Sequence, residues 1–290
     1  MSILNVEHLS HGFGDRAIFQ DVSFRLLRGE HIGLVGANGE GKSTFFNIVT
    51  GKLRPDEGRI EWAKDVRIGY LDQHTVLEKG MTIRDVLKSA FSYLFDLEAK
   101  MNEICDRLGN VDEDEMNRLM EELGTIQDTL TLHDFYVIDA KVEEVARALG
   151  LLDLGLERDV TDLSGGQRTR ILLGKLLLEK PDILLLDEPL SALDGVIKES
   201  IKDRIRTIAR EYNLTTIIVT HDPEEALTLS DRVLIIEGGM ISQYARPESI
   251  IHTPKNDFVR KFILNQLEIK RNNIYALFGD QLTVPAAQAV

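Results

Sequence analysis

Gly36-Ala37-Asn38-Gly39-Glu40-Gly41-Lys42-Ser43-Thr44 matches in full the glycine-rich loop whose backbone N–H groups wrap phosphates while a lysine reaches the terminal ones. The apolar run His31-Ile32-Gly33-Leu34-Val35 before it reads as a strand. A helix must follow, from Lys42 to about Thr50, because a helix N-terminus supplies unpaired N–H groups to an anion. Glycines here let backbone approach a nucleotide without Cβ clashes. Lys42 brings positive charge to the β- and γ-phosphates and Ser43 offers a hydroxyl to Mg²⁺, while Gly36, Ala37, Asn38, Gly39, Gly41 and Thr44 complete the expected cradle.

Outward from the loop, the candidate chemistry lies at strand ends. Asp187 closes the aliphatic run Ile183-Leu184-Leu185-Leu186, as expected of a buried parallel strand delivering a carboxylate to the sheet edge, and its expected task is Mg²⁺ through water. Glu188 beside it is placed to orient and deprotonate an attacking water; the competing reading is a solvated loop acid. Gln73, after Tyr70-Leu71-Asp72, reads as a metal and water sensor, and His221, after Thr216 to Thr220, as a γ-phosphate contact. A lone histidine at a strand end is more often structural, so both residues draw their weight from position. Phe13 is either a platform for adenine or a core phenylalanine.

A second glycine stretch, Leu163-Ser164-Gly165-Gly166-Gln167, opens a helix expected over Arg168 to Leu178 and forms another anion site. Two such sites cannot easily serve one nucleotide unless they face each other across two molecules.

The 290 residues, 43% of them hydrophobic, suffice for a sizeable core. The start lacks a signal-peptide pattern and no apolar stretch reaches membrane-helix length, so a cytoplasmic protein is expected, peripheral at the inner membrane face if partner subunits hold it there. Cys105, the single cysteine, excludes an intrachain disulfide and is expected to be a half-buried structural thiol. With 34 basic against 48 acidic residues the net charge is −14, and no direct DNA binding is expected.

Strands are expected at Ser2 to Glu7, Phe19 to Leu26, Arg59 to Trp62 and Arg67 to Leu71. From an N-cap at Thr82, the stripe Leu94, Leu97, Met101, Ile104, Leu108 predicts one long helix, and Met116, Leu119, Leu123, Ile126, Leu130 a second, giving an antiparallel arm. A third helix runs from Ala140 to Leu149. After Asp187 the pattern is βα: helix from Val196 to Tyr212, strand Thr215 to Thr220, helix Pro223 to Leu229, strand Arg232 to Ile236, a Gly238-Gly239 hairpin to Ile241 to Tyr244, then a helix through Phe258 and Phe262. The expected segments are a nucleotide-binding core at 1–81, an arm at 82–139, a helical subdomain at 140–180, the second half of the core at 181–264 and a C-terminal tail at 265–290, frayed from Asp280.

The loop and the Ser164-Gly165-Gly166-Gln167 signature together resemble the ATP-binding cassette (ABC) family. That resemblance implies an α/β P-loop NTPase fold: a mainly parallel sheet core, an antiparallel N-terminal β part, a helical subdomain and, here, a helical-hairpin arm. It implies an ATPase in which two cassettes pack head to tail, each ATP lying between one phosphate loop and the other's signature, so the expected partner is a second cassette, identical or not. Asp194, in Ser191-Ala192-Leu193-Asp194, matches the family segment that crosses this interface. Through about Pro189 the chain resembles the ABC-F branch, which acts on ribosomes. From Leu190, through His221-Asp222-Pro223-Glu224-Glu225-Ala226 and Arg246-Pro247-Glu248-Ser249-Ile250, it resembles a solute-importer ATPase, which implies membrane transport subunits as partners. The chain therefore reads as a composite, of an origin the residues leave open. Thirteen acids against three bases between Tyr93 and Ala140 disfavour direct RNA contact by the arm.

Overall fold

The computed structural model describes residues 2–71, 77–191 and 195–279. In chain order these form β1 (Ser2–Phe13), β2 (Arg16–Leu27), β3 (His31–Val35), α1 (Lys42–Val49), β4 (Glu57–Trp62), β5 (Ile68–Leu71), α2 (Ile83–Lys88), α3 (Ser92–Arg107), α4 (Glu113–Leu132), α5 (Ile138–Ala148), α6 (Gly165–Glu179), β6 (Ile183–Asp187), α7 (Gly195–Glu211), β7 (Thr215–Thr220), α8 (Pro223–Leu229), β8 (Arg232–Glu237), β9 (Met240–Ala245), α9 (Pro247–His252), α10 (Asp257–Val259), a π-helical turn (Arg260–Leu264) and α11 (Asn265–Phe278). The frayed tail expected from Asp280 lies outside the described residues. Two compact units emerge: residues 1–70, 182–189 and 209–290 form one, and residues 71–181 and 190–208 the other.

The first unit holds two sheets. A three-stranded antiparallel sheet has the order β2-β1-β4, and a six-stranded sheet the order β5-β6-β7-β3-β8-β9. In the larger sheet β6, β7, β3 and β8 are parallel, and β9 returns antiparallel from β8 through Gly238-Gly239. Alternation along β8 shows both faces covered: Leu234 and Ile236 enter a core with Phe45 and Phe46 of α1, whereas Val233 and Ile235 enter another with Ala226, Ile250, Val259 and Ile263. Strands covered on both sides are buried along their whole lengths, as β6 and β7 are, and their middles are aliphatic while threonines and Asp187 stand at the ends. The aromatic rings of Phe24, Phe45, Phe46 and Tyr70 pack in sequence, with centroids 5.7, 6.1 and 5.6 Å apart. They fix α1 against the sheets.

The second unit is helical. The single long helix expected from Thr82 is two helices, because a 3₁₀ turn at Ser89–Phe91 separates α2 from α3. The Ser89 hydroxyl donates to the Val86 carbonyl at 2.7 Å, competing for an acceptor that a continuous helix would use, and Phe91 buries its ring at the break. α3 and α4 then form the hairpin. Lys100 pairs with Glu122 and Arg107 with Glu115 at 2.8 Å, so one residue number rises as the other falls, the mark of antiparallel helices. Leu94, Ile104, Leu119, Ile126 and Leu130 are buried, but Met116 is exposed. Cys105 is exposed rather than half-buried, since it follows Ile104 and turns away from the apolar stripe.

α6 packs closely on α2 and α5 at Gly174, where a Cβ would lie 2.9 Å from a Leu87 methyl and 3.0 Å from a Leu149 methyl. One turn earlier Arg170, buried, donates to the carbonyls of Leu149 at 3.2 Å and Gly150 at 3.3 Å, placing positive charge at the negative end of α5. Among the described residues no helix is long and apolar enough to cross a membrane.

Phe46→Ala removes a fully buried ring from the aromatic cluster and is expected to destabilise the first unit by about 3–5 kcal/mol. A urea titration should show the lower midpoint with an unchanged slope.

Candidate functional site

Strand register builds the site. Val35 of β3 lies opposite Thr220 of β7, and Asp187 of β6 opposite Val219. Gly36, Glu188 and His221, each the next residue in its chain segment, therefore leave the sheet at one carboxyl edge, where open α/β sheets bind ligands.

The loop after β3 needs its glycines for geometry. Gly39 and Gly41 hold φ of +87° and +84°, a region costly for side chains bearing a Cβ. A Cβ on Gly41 would also fall 2.2 Å from the Cγ2 methyl of Ile18. Arg16, which the sequence reading did not single out, donates from Nη2 to the Gly39 carbonyl at 3.0 Å and so braces the loop. Its only sequence signal is a basic residue opening β2 after the Gly14-Asp15 turn.

α1 starts directly from this loop. Its N-cap, Gly41, carries no capping side chain, and no acidic residue stands in its first turn. By contrast, α2, α4, α6 and α8 are capped by the side chains of Thr82, Asp112, Ser164 and Asp222. The free N–H groups of α1 thus remain available to an anion.

Lys42 is 7% exposed, and its Nζ donates to the carbonyl oxygens of Gly36 at 3.0 Å and Ala37 at 3.1 Å. Burial holds its pKa below the usual lysine range, while the charges of Glu188, Asp187 and Glu40 pull it upward. Asp187 is likewise buried. Glu188 sits at φ +45°, left-handed for a non-glycine residue, and its N–H donates to the Val219 carbonyl at 2.9 Å. Such a conformation costs of order 1–3 kcal/mol and persists where surrounding structure imposes it. It brings Glu188 Oε1 to 3.3 Å from His221 Nδ1. Four of the expected residues, Lys42, Asp187, Glu188 and His221, therefore share one edge of one unit.

Ser43, Asn38 and Gly39 are exposed beside them, with Ala37 and Thr44 half-buried and Gly36 buried. Phe13 is 54% exposed, which removes the core alternative; its ring meets that of buried His11 edge to face at 4.9 Å. Gln73 and Asp194 lie outside the described residues. No cluster of three or more His, Cys, Asp or Glu side chains able to hold a metal occurs among the described residues. A hydroxyl and a carboxylate beside a phosphate cradle still suit Mg²⁺, which keeps its waters and takes only one or two protein ligands with substrate phosphates.

In the second unit the signature starts α6. Ser164 Oγ accepts from the Gln167 N–H at 3.3 Å, and Gln167 Oε1 accepts from the Ser164 N–H at 2.9 Å, a reciprocal capping box. The Ser164 hydroxyl hydrogen is not used in that pair. Gly165 is exposed, and a Cβ there would meet nothing within 4 Å.

A model of the ABC transporter family matches residues 19–191. The ABC transporter ATP-binding protein YfmM of Bacillus subtilis (strain 168) is 62% identical over 244 residues, 84% of this chain and 46% of the relative. The chain thus spans about half the length of that relative, and a match of this extent in 290 residues runs across Pro189 wherever it begins. The sulfate/thiosulfate import ATP-binding protein CysA of Synechococcus elongatus is 31% identical over 269 residues, 90% of this chain and 67% of the relative. The spermidine/putrescine import ATP-binding protein PotA of Chromobacterium violaceum is 31% identical over 285 residues, 98% of this chain and 70% of the relative. Among solved structures, cbiO1 from Clostridium perfringens, part of the ABC transporter complex cbiONQ, superposes with a TM-score of 0.63 at 22% identity, covering 96% of this chain and 98% of that one, a likeness of fold.

Gly41→Ala is expected to lower the melting temperature and to abolish the upward shift with Mg-ATP that is expected of the wild type, since the loop can no longer hold its shape. Gly109→Ala, where a Cβ meets nothing, should keep that shift. Differential scanning fluorimetry with and without nucleotide reads both.

Proposed function

The chain belongs to the ABC transporter family, and from that premise we propose that it binds Mg-ATP between two cassettes packed head to tail and hydrolyses it as the ATP-binding subunit of a transporter. The observation that carries the reading is the meeting of Lys42, Asp187, Glu188 and His221 at one sheet edge, beside a helix whose N-terminus no side chain caps.

In this reading the N–H groups of Gly36 to Thr44 wrap the phosphates, and Lys42 exchanges its carbonyl partners for the β- and γ-oxygens. Ser43 and Asp187 would hold magnesium, which would supply charge neutralisation at the phosphate oxygens. Glu188 takes the proton of a water whose oxygen attacks the γ-phosphorus, the bond to the bridging oxygen breaks, and ADP departs with the electron pair. His221, with Nδ1 toward Glu188, steadies that carboxylate and contacts the γ-phosphate. Gln73 senses metal and water, Phe13 stacks on adenine, and Asp194 crosses to the second cassette.

The signature supports the dimer. Among the described residues a Cβ at Gly165 meets nothing within 4 Å, which leaves that surface open to a neighbour. With Ser164 Oγ accepting inside the capping box, its hydroxyl hydrogen is left to donate to the neighbouring cassette's γ-phosphate, beside N–H groups of the α6 N-terminus.

The importer relatives favour membrane transport subunits as partners, which would hold the protein at the inner membrane face. A second reading, an ABC-F-like ribosome factor, draws on the α3–α4 arm and on a relative about twice as long as the matched stretch, which has room for another cassette. The composite expected from a junction near Pro189 draws no support from a 62% match that runs across that residue.

Affinity capture after solubilisation separates the two: integral membrane subunits favour transport, and nucleotide-dependent cosedimentation with ribosomes favours the second. Glu188→Gln is expected to slow ATP hydrolysis by at least about a hundredfold while leaving nucleotide binding intact, because loss of a general base blocks chemistry alone; unchanged turnover refutes its role. Gly165→Ala should leave the melting temperature unmoved yet weaken the ATP-dependent dimer seen by size-exclusion chromatography with light scattering.

A further inference from the structure

His221 sits between two residues that are themselves tied down. Thr220 Oγ1 donates to the carboxylate of Glu225 at 2.5 Å and accepts from the Asp222 N–H at 3.1 Å, and Glu225 is buried in α8 at 3% exposure. Asp222 in turn caps α8, its Oδ1 accepting from the Glu224 N–H at 3.0 Å. The turn carrying His221 is thus locked to the N-terminus of α8, and α8 lies close on β3, where a Cβ on Gly33 would fall 2.9 Å from that of Ala226.

One more group enters this lock, from 48 residues further along the chain. Lys270 of α11 donates to Asp222 Oδ1 at 3.2 Å and Oδ2 at 3.3 Å and to Glu224 Oε2 at 2.8 Å, gripping two of the three carboxylates that follow His221. Burial works against its ammonium, but the hydrogen bond to Glu224 and the charges of Asp222 and Glu224 outweigh it, so Lys270 titrates above the usual lysine range. The grip therefore persists across physiological pH. α11 has no buried residue, and Ile269, Ile274, Tyr275, Leu277 and Phe278 are exposed. Leu267 is its apolar contact with the core that holds Ala226 of α8, and the polar ties of Lys270 add to that contact in holding the helix.

We propose that Lys270 is a positioning residue that couples the C-terminal helix α11 to His221, so that hydrolysis is fastest when α11 is docked on α8. Two acids side by side at the start of α8, together with buried Glu225, repel one another; the lysine offsets that repulsion and holds the capping carboxylate of Asp222 in place. Without it Asp222 loses two hydrogen bonds that steady its capping carboxylate, and the Thr220–His221–Asp222 turn loosens next to Glu188. The proposal rests on His221 serving the hydrolytic site proposed above.

The test uses the purified full chain as wild type, Lys270→Met and Lys270→Arg, each also in a His221→Ala background. Lys270→Met is expected to lower kcat for ATP about fivefold with KM within about twofold, Lys270→Arg to restore most of it, and the methionine change to add nothing once His221 is alanine. Histidine-selective NMR of the nucleotide-free proteins should show the His221 ring signals shifted and broadened in Lys270→Met and restored in Lys270→Arg. Full turnover in Lys270→Met, equal losses with and without His221, or unmoved His221 signals overturn the proposal. A wild type that hydrolyses no ATP overturns the reading of the site instead, while the NMR arm still decides whether Lys270 holds His221.

Discussion

The in-register parallel pairing of β6, β7 and β3 is the constraint from which the rest follows. Parallel strands covered on both faces have no room for polar side chains along their length, so polar chemistry is driven to their ends. Because the pairing sets Val35 against Thr220 and Asp187 against Val219, three ends fall together, and with them a lysine, two carboxylates and a histidine. Burial there is useful as well as costly. Lys42 loses hydration there, and the charges of Glu188, Asp187 and Glu40 work against that loss.

Helix ends divide the remaining work. Most described α-helix starts in the helical unit and around His221 are closed by side chains that pair within the chain, which stabilises the helix and consumes its anion-binding capacity. α1 is left open, and the loop before it adopts glycine-only angles that turn its N–H groups toward one point. The signature helix α6 is an intermediate case: its box is closed, yet Ser164 and Gly165 stay on the surface. The strained backbone of Glu188 belongs to the same economy of position, a local cost that places a carboxylate beside His221.

The arm follows different physics. Its ion pairs are partly exposed and contribute little individually, so the buried stripe of Leu94, Ile104, Leu119, Ile126 and Leu130 holds the hairpin. Lys100 and Arg107 are engaged across the two helices and Arg118 approaches Glu115 within α4, which leaves the excess of acids facing solvent. Such a surface suits a partner that is neutral or basic far better than a phosphate backbone.

The residues by themselves determined the local chemistry and most of the elements. Glycine spacing, an apolar run before it and a four-residue aliphatic run ending in Asp187 are short-range patterns, and β3, α8 and the core of β7 lie where periodicity places them because neighbours in sequence dictate them. Tertiary structure decided what depends on distant chain segments. The 3₁₀ turn at Ser89–Phe91 breaks the helix between its cap at Thr82 and the stripe that begins at Leu94, and Cys105 faces outward although its neighbour Ile104 is buried. Arg16 on Gly39 and Lys270 on Asp222 join residues 23 and 48 positions apart. No local pattern announces such contacts, because folding of the sheets and helices alone brings those side chains within reach.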